Sequence, residues 1–498
     1  MRSSCTAGRR SQESAADQFH SCSAALTVSD EHHITACSLR IVRDRIQEIE
    51  LKMNRRFVNL VTANYKSRMY SLHRLDVSKH LFYPSTAEAE AANQKENNNG
   101  GKPPRIEQLR RLPAPSVRLQ SYLGDNLWSS LDSFSLLSPD GARILHTNEE
   151  GHAVLCDVDS CSTKTMPSLA VPKGWRPISF FAGAGEESLY VMRSVPATSS
   201  VNFEVLHLCG GSPKHDNKRQ RPHYLRGVSP SLKWQPLPPL PIAENESPRI
   251  QSSTLLDDGR VICVSAATYS MSEQQDAACT YCFDTESHEW WRAGDWPLPF
   301  DGRAVHVPEL DTWLGFCPDG DDPNHLCAVD LSAVAAMAAP RDPPMLTQVW
   351  EDFIPPPMEW KSIVLNRRVP GVAHHTTKEW HPMGHNLVNL GSGRFCISKM
   401  FDVEEKLSLS YSFDDDSRTV GEFAVLTGVE VDRGGEGGGL RMVKHKSKRY
   451  MFTSDCIKWC RGEVEGVRRC SNSIAIRRRP PSLSAALPKI QLARLSEN

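Results

Sequence analysis

The sequence predicts an all-β fold: a β-propeller of four-stranded blades, six by count and seven if an inserted loop hides further strands. Three observations predict it. The central chain consists of short alternating apolar runs separated by Gly, Asp, Asn, Ser and Pro, with almost no helical period. One unit recurs: a strand, a tight turn, a second strand, a loop, a third strand ending in Asp, a turn, and a fourth strand carrying Trp or Pro. The turns step by about 45 to 52 residues in compact stretches and about 73 to 81 where a loop is inserted, a spacing that fits one blade.

Taken in order, residues 1–52 read as a disordered leader, with a weak helical rhythm only in "LRIVRDRIQEIELKM". The first residues lack a continuous apolar stretch of the kind a secretory signal needs. The propeller is expected over 53–455. "RRFVNLVTANY", "YSLHRLDVS" and "HLFYPS" supply three strands of an incomplete front unit. Residues 85–115 begin with helix formers and collapse into Asn, Gly and Pro. That composition cannot offset backbone ordering of roughly 1–2 kcal/mol per residue, so a low-complexity insertion is expected there.

Five fuller units follow. "SFSLLSPDGARILHTN" leads into "HAVLCDVD", and "ISFFAGAGEESLYVMRS" into "NFEVLHL" and "KWQPLPPLP". Next come "QSSTLLDDGRVICVSAA" with "CTYCFDTESHEWWRAGDWPLP", then "GRAVHVPELDTWLGFC" with "HLCAVDLS". The last is "HNLVNLGSGRFCISKMF" with "EFAVLTGVEV" and "RMVKHKSKRYMF". Each first hairpin turns on Gly, Asp or Pro, which suit the backbone of tight turns. A ring must close, so the front segment and the last hairpin are expected to complete each other. Residues 456–498 are expected to be a disordered tail.

Blades splay apart with distance from the axis, and bulky residues on outer strands fill that wedge. Trp234, Trp290, Trp291, Trp296 and Trp350 have the right positions, each buried indole contributing on the order of 2–3 kcal/mol. The Asp that recurs once per unit in "DVDS", "FDTE" (Asp284) and "AVDLS" reads as a turn cap, not as an acid or base.

Composition narrows the function classes. With 498 residues and a net charge of −1, no global field favours nucleic acid or a membrane surface. No apolar run reaches the length of a membrane-spanning helix. Fifteen cysteines, mostly inside apolar runs, read as reduced core thiols, which with the absent signal implies a cytoplasmic or nuclear protein.

No motif announces a chemistry. "VAHHTTKEWHPMGH" holds His374, His375, His381 and His385, the most metal-like cluster, but Pro382 and Gly384 disfavour a helix that would align two ligands, and solvated histidines in an inserted loop are the better account. Cys279 and Cys282 would point to opposite faces of one strand. "GGEGGGL" lacks the context of a phosphate loop and reads as a hairpin tip. Neither cofactor nor catalytic residue is assigned.

The strings "RRFVNLVTANY", "YSLHRLDVSKHLFYPSTAEAEAA", "TYCFDTESHEWWRAGDWPLPF", "GRAVHVPELDTWLGF" and "HNLVNLGSGRFCI" resemble a grass-expanded plant family of uncharacterised, kelch-like proteins, over about residues 53 to 455. The Gly-Gly pair of true kelch blades is missing. The resemblance implies a propeller and no functional residues. The expectation is a non-enzymatic protein-interaction scaffold that recognises a protein or peptide on its inter-blade loops. By analogy with plant kelch-like domains it would be a ubiquitin-ligase substrate adaptor, although 1–52 lacks an F-box pattern. The competing expectation is an enzyme or small-molecule binder in the central channel, which needs charged residues converging at the axis.

Overall fold

The computed structural model describes residues 55–469 except 65–68, 98–105, 110, 121–131, 139, 175, 183–186, 198–200, 209–231, 243–247, 269–276, 319–323, 337–341, 354–358, 364–373, 409–415, 435–437, 453–456 and 462–467. The expected leader and most of the expected tail lie outside the described residues, as does the whole of 209–231. Arg55–Asn498 is one unit by its internal packing.

Within it the strands form six antiparallel blades. Blade 1 joins Phe57–Asn64, Met69–Asp76 and Pro115–Gln120 with Ile457–Arg461. Blade 2 is Ser133–Leu136, Arg143–Thr147, Ala153–Asp157 and Ser162–Met166. Blade 3 is Ile178–Ala182, Ser188–Met192, Phe203–His207 and Trp234–Pro236. Blade 4 runs Pro248–Leu256, Val261–Thr268, Ala277–Asp284 and Glu289–Gly294, and blade 5 Asp301–Val307, Thr312–Phe316, Leu326–Val329 and Leu346–Trp350. Blade 6 has the long strands His374–Gly391, Arg394–Ser408, Asp416–Arg433 and Leu440–Phe452. The innermost strands of blades 4 and 5 touch in parallel at Ser252–Gly302 and Ser253–Arg303. This is the arrangement expected where first strands run side by side down an axis.

Six apolar clusters lie between the blades, and together they close the circle. Val61 and Tyr70 meet Phe134 and Ile144 between blades 1 and 2. Leu145 and Met166 meet Leu189 and Trp234. Phe203 and Val205 meet Ile262 and Phe283. Cys263 and Cys282 meet Trp313 and Cys327. Leu314 and Phe316 meet Phe395 and Val429. Finally Leu390, Cys396 and Ala424 of blade 6 meet Val58, Leu60 and Leu75 of blade 1. Strands in the middle of a blade, such as Ser188–Met192, Thr312–Phe316 and Leu326–Val329, are buried on both faces. Outer strands such as Ser162–Met166 and Leu346–Trp350 are exposed or half-buried over most of their length. The fold class is therefore the propeller that the sequence predicts, with six blades.

Four local expectations differ from the structure. "HLFYPS" is not a strand: Asp76 caps α1 (Val77–Leu81) by accepting the Lys79 N–H at 3.2 Å, which turns the chain out of blade 1. The third strand of blade 1 is Pro115–Gln120 instead. The insertion at 85–115 contains α2 (Thr86–Asn97), because a segment unable to bury area by itself docks on blade 6 through polar contacts. Closure does not use the last hairpin, which stays in blade 6. Ile457–Arg461, placed by sequence in the tail, pairs with Phe57–Asn64 at Thr62–Trp459, Ala63–Lys458 and Asn64–Ile457, supplying the inner neighbour whose hydrogen bonds that strand needs.

The histidine stretch 374–382, read from sequence as part of an inserted loop, and the stretch 403–408 are the ends of blade 6 strands far from their shared hairpin turn. There Phe353, Phe401, Phe423 and Val425 form a seventh apolar cluster with Trp380, whose ring meets Phe423 edge-on at 4.2 Å. No helix among the described residues is long and apolar enough to cross a membrane.

Candidate functional site

Two inner-strand sequences build the site. After "SSTLL", Asp257, Asp258 and Gly259 take φ of 49°, 50° and 90°. Such a run of left-handed backbone is tolerated by Asp and Gly and by few other residues. It leaves Asp258 exposed at the lining of a cavity. The second sequence is "DGRAVHV" of blade 5, where the register shifts between Asp301 and Val305 and so re-aims Arg303.

Arg303 reaches past blade 4 to blade 3. Its Nη1 donates to the Ser179 carbonyl at 3.0 Å, and its guanidinium lies 5.2 Å from the Phe180 ring centre. Ser179 Oγ in turn donates to Ser135 Oγ of blade 2 at 2.7 Å. Blades 5, 3 and 2 are thus tied together.

Beside this strut, on the side of the tight first-hairpin turns, is a cavity of about 390 Å³ lined by Phe181, Glu187, Leu255, Asp258, Arg303 and His306, among others. The His306 ring stacks on Trp313 at 4.3 Å. Burial pushes the His306 pKa below its ordinary value, while the carboxylates of Asp258, Asp311 and Glu309 pull the other way. Glu187 pairs with Arg143 of blade 2 at 3.3 Å, and Glu309 accepts the Gly393 N–H of blade 6 at 3.2 Å. Around His306, then, three carboxylates come from two successive turns. Arg303 is the one cation among the cavity-lining residues named above. The rim suits a positively charged group.

Residues singled out by sequence lie elsewhere. Trp234 is buried and donates its indole N–H to the Pro167 carbonyl at 2.9 Å. Trp290 donates to the Pro238 carbonyl at 3.0 Å and packs on Phe283 at 4.9 Å. Trp296 is buried in the cluster between blades 4 and 5, with Trp291 against its edge, and Trp350 packs at the edge of the blade 5–6 cluster. Gly294 is required by Trp296: a Cβ there would sit 2.0 Å from the indole Nε1.

The recurring Asp residues bind turn amides. Asp157 accepts from Ser160 N at 2.9 Å, Asp284 from Glu286 N at 2.7 Å, and Asp330 from Ser332 N at 2.9 Å. Hydrogen bonds and the Arg260 cation hold the Asp284 carboxyl below its ordinary pKa, against the upward push of its burial.

The histidine cluster lies on a strand and is divided. His381 Nε2 is 2.9 Å from Glu404, whereas His385 is buried 3.3 Å from Asp301 and 4.4 Å from the Phe316 ring. The side chains of His374 and His375 lie outside the described residues. Among the described residues, no group of three His, Cys, Asp or Glu side chains is arranged to hold a metal ion. Six of the eight described cysteines are buried, and all eight are free thiols. Cys282 packs between blades 4 and 5 while Cys279 faces the other way, toward the cluster between blades 3 and 4.

Sequence reasoning missed Arg303, His306 and Trp313. The signal is in "GRAVHV", a charged and a titratable residue on an innermost strand, but nothing in that string marks the distant Ser179 and Asp258 as its neighbours.

Comparison with known proteins adds little beyond a family. No curated protein matches the chain. Solved structures that resemble it include the Cps50 (Swd1) β-propeller domain of Myceliophteria thermophila, at 10% identity and TM-score 0.23, covering 38% of this chain and 52% of that one. This chain therefore spans about half that structure's length. The periplasmic gluconolactonase PpgL of Pseudomonas aeruginosa matches at 11% identity and TM-score 0.32, over 79% of this chain and 98% of that one. An oligogalacturonate lyase of Vibrio parahaemolyticus matches at 8% identity and TM-score 0.26, over 65% and 83%. Residues 55–450 match the family described as "protein of unknown function (DUF1668)", and the chain belongs to that family.

Proposed function

We propose that the protein is a recognition propeller whose tight-turn face docks a protein partner, with one cationic side chain of that partner entering the axial cavity. The observation that carries this reading is the placement of His306 among Asp258, Glu309 and Asp311 at the mouth of a cavity large enough for a side chain. A preformed concave site with a few convergent charges is the usual form of a binding site. The kelch-like character of the sequence supports a protein over a free metabolite as the partner.

The test places a photoreactive benzophenone residue at position 257, on the rim, in full-length protein exposed to cell extract. The expected result is a crosslinked protein attached through a Lys- or Arg-containing segment, with the crosslink lost in D258K. A crosslink insensitive to D258K contradicts the reading, as does none at all.

One observation favours a second reading, catalysis in the same channel. With its pKa lowered, His306 is neutral near pH 7, the form that accepts a proton. Turnover of a metabolite by full-length protein, lost in His306→Gln, would support that reading instead.

A further inference from the structure

The fourth strand of blade 6, Leu440–Phe452, is 13 residues long and carries Arg441, Lys444, Lys446, Lys448 and Arg449. A long outer strand with open backbone groups is a template for another chain. Here that edge is covered from within. Between its second and third strands, blade 1 sends out α1, α2 and the short strand Glu107–Gln108, and these lie along blade 6.

The cover is apolar at α1 and around Ile106 and Leu109, which pack on the clusters of blade 6, and polar along α2. Two of its carboxylates reach edge cations, and Arg441 is also paired with Asp432 at 2.8 Å. Glu90 pairs with Arg441 at 2.5 Å, and Glu107 pairs with Lys448. The Lys446 ammonium lies 4.5 Å from the Tyr83 ring centre. Asn93 donates to the Lys444 carbonyl at 2.9 Å. Backbone pairing is parallel at Lys448–Glu107 and Arg449–Gln108, and Leu109 N donates to the Arg449 carbonyl at 2.7 Å. The hold is thin. Ala89 is the one fully buried residue among the described side chains of α2, and strand pairing covers two positions of a long edge. A 12-residue helix with so little apolar burial has marginal stability of its own.

From this arrangement we propose that the outer edge of blade 6 is a docking site for an acidic, extended segment of a partner protein. Residues 86–97 and 106–109 are its resident occupant. The incoming segment adds as a strand along Leu440–Phe452 and places carboxylates on Arg441 and Lys448, where Glu90 and Glu107 now sit. Main-chain pairing gives such a site its affinity, and the side chains that flank the edge give it specificity. This proposal does not rest on the axial cavity.

The test uses full-length protein and a fluorescein-labelled nine-residue peptide of alternating Glu and Val, read by fluorescence anisotropy. Glu90→Ala with Glu107→Ala loosens the cover and leaves the basic edge intact. It should tighten peptide binding by about tenfold, the equivalent of two exposed ion pairs. Lys448→Glu should weaken binding, and raising the salt concentration should do the same. Hydrogen exchange on the wild-type protein gives a readout independent of any variant: peptide addition should increase exchange over residues 86–97. Equal affinity for the wild-type and loosened proteins overturns the proposal. So does binding that leaves residues 86–97 protected, or the absence of binding to both proteins.

Discussion

Trp234 of blade 3 donates its indole N–H to the carbonyl of Pro167, the residue that follows the last strand of blade 2, at 2.9 Å. The ring is buried among Leu145, Met166 and Leu206, so one side chain fills the outer wedge and fastens two blades by a directed bond. Trp234→Ala should cost about 3–5 kcal/mol, the range for deleting a buried aromatic. Trp234→Phe keeps most of the apolar area and should cost about 1–2 kcal/mol, much of it from the carbonyl left unpaired. Denaturant unfolding of the two variants checks both values.

Lys173, in the connection between blades 2 and 3, forms a buried ion pair with Glu204 on the third strand of blade 3, their side chains 1% and 0% exposed. The ammonium also donates to the Val171 and Val201 carbonyls at 3.0 and 2.9 Å, and Glu204 accepts the Ala170 N–H at 3.0 Å. Burial pushes the Lys173 pKa down while Glu204 pulls it up. Lys173→Met should cost about 3–5 kcal/mol, because it strands a buried carboxylate. Adding Glu204→Gln should recover most of that loss. A double-mutant cycle by chemical denaturation measures the recovery.

The arm formed by α1 and α2 should loosen in acid. His445 Nδ1 accepts the Tyr83 N–H at 3.2 Å, and its Nε2 lies 3.1 Å from Glu430. Phe82 and Tyr83 flank the ring, and Arg394 and Lys446 act on its charge. Burial lowers its pKa below 6.5, outweighing the upward pull of Glu430. The sign follows from that depression. The neutral ring stabilises the fold fully above pH 6.5, and this contribution is lost as pH falls below that value toward the folded-state pKa. Protonation at Nδ1 also removes the acceptor for Tyr83. Hydrogen-exchange protection over 77–97, taken relative to the intrinsic exchange rate at each pH, should be lower at about pH 5.5 than at about pH 7.5, and His445→Gln should flatten that difference.

What the sequence disclosed was what local physics controls. Turns such as Asp257–Gly259 need residues that tolerate positive φ, and alternating runs such as "RVICVSA" mark strands wherever they occur. The bulk of the tryptophans near the end of a unit is local information too, whereas the clusters they enter, such as that of Trp234 with Leu145 and Leu189, join different blades. By contrast, α2 is a polar helix that owes its place to partners more than 300 residues away in sequence, such as Glu430 and Lys444. Ile457–Arg461 is a short, basic strand that becomes one only by meeting Phe57–Asn64. The cavity was illegible for the same reason: Glu187, Asp258 and His306 belong to three blades, and nothing local marks them as neighbours. Long-range placement of ordinary residues leaves no periodic trace.

The six-bladed ring is closed by two segments far apart in sequence, Phe57–Asn64 and Ile457–Arg461. Ala63 and Lys458 are cross-strand partners at that closure, close enough for a disulfide if both become cysteine. Ala63→Cys with Lys458→Cys, oxidised mildly and mapped by peptide mass spectrometry, should yield a link between these two positions in monomeric protein. Recovery of both as free thiols, or a disulfide joining either introduced cysteine to some other position, would contradict the ring.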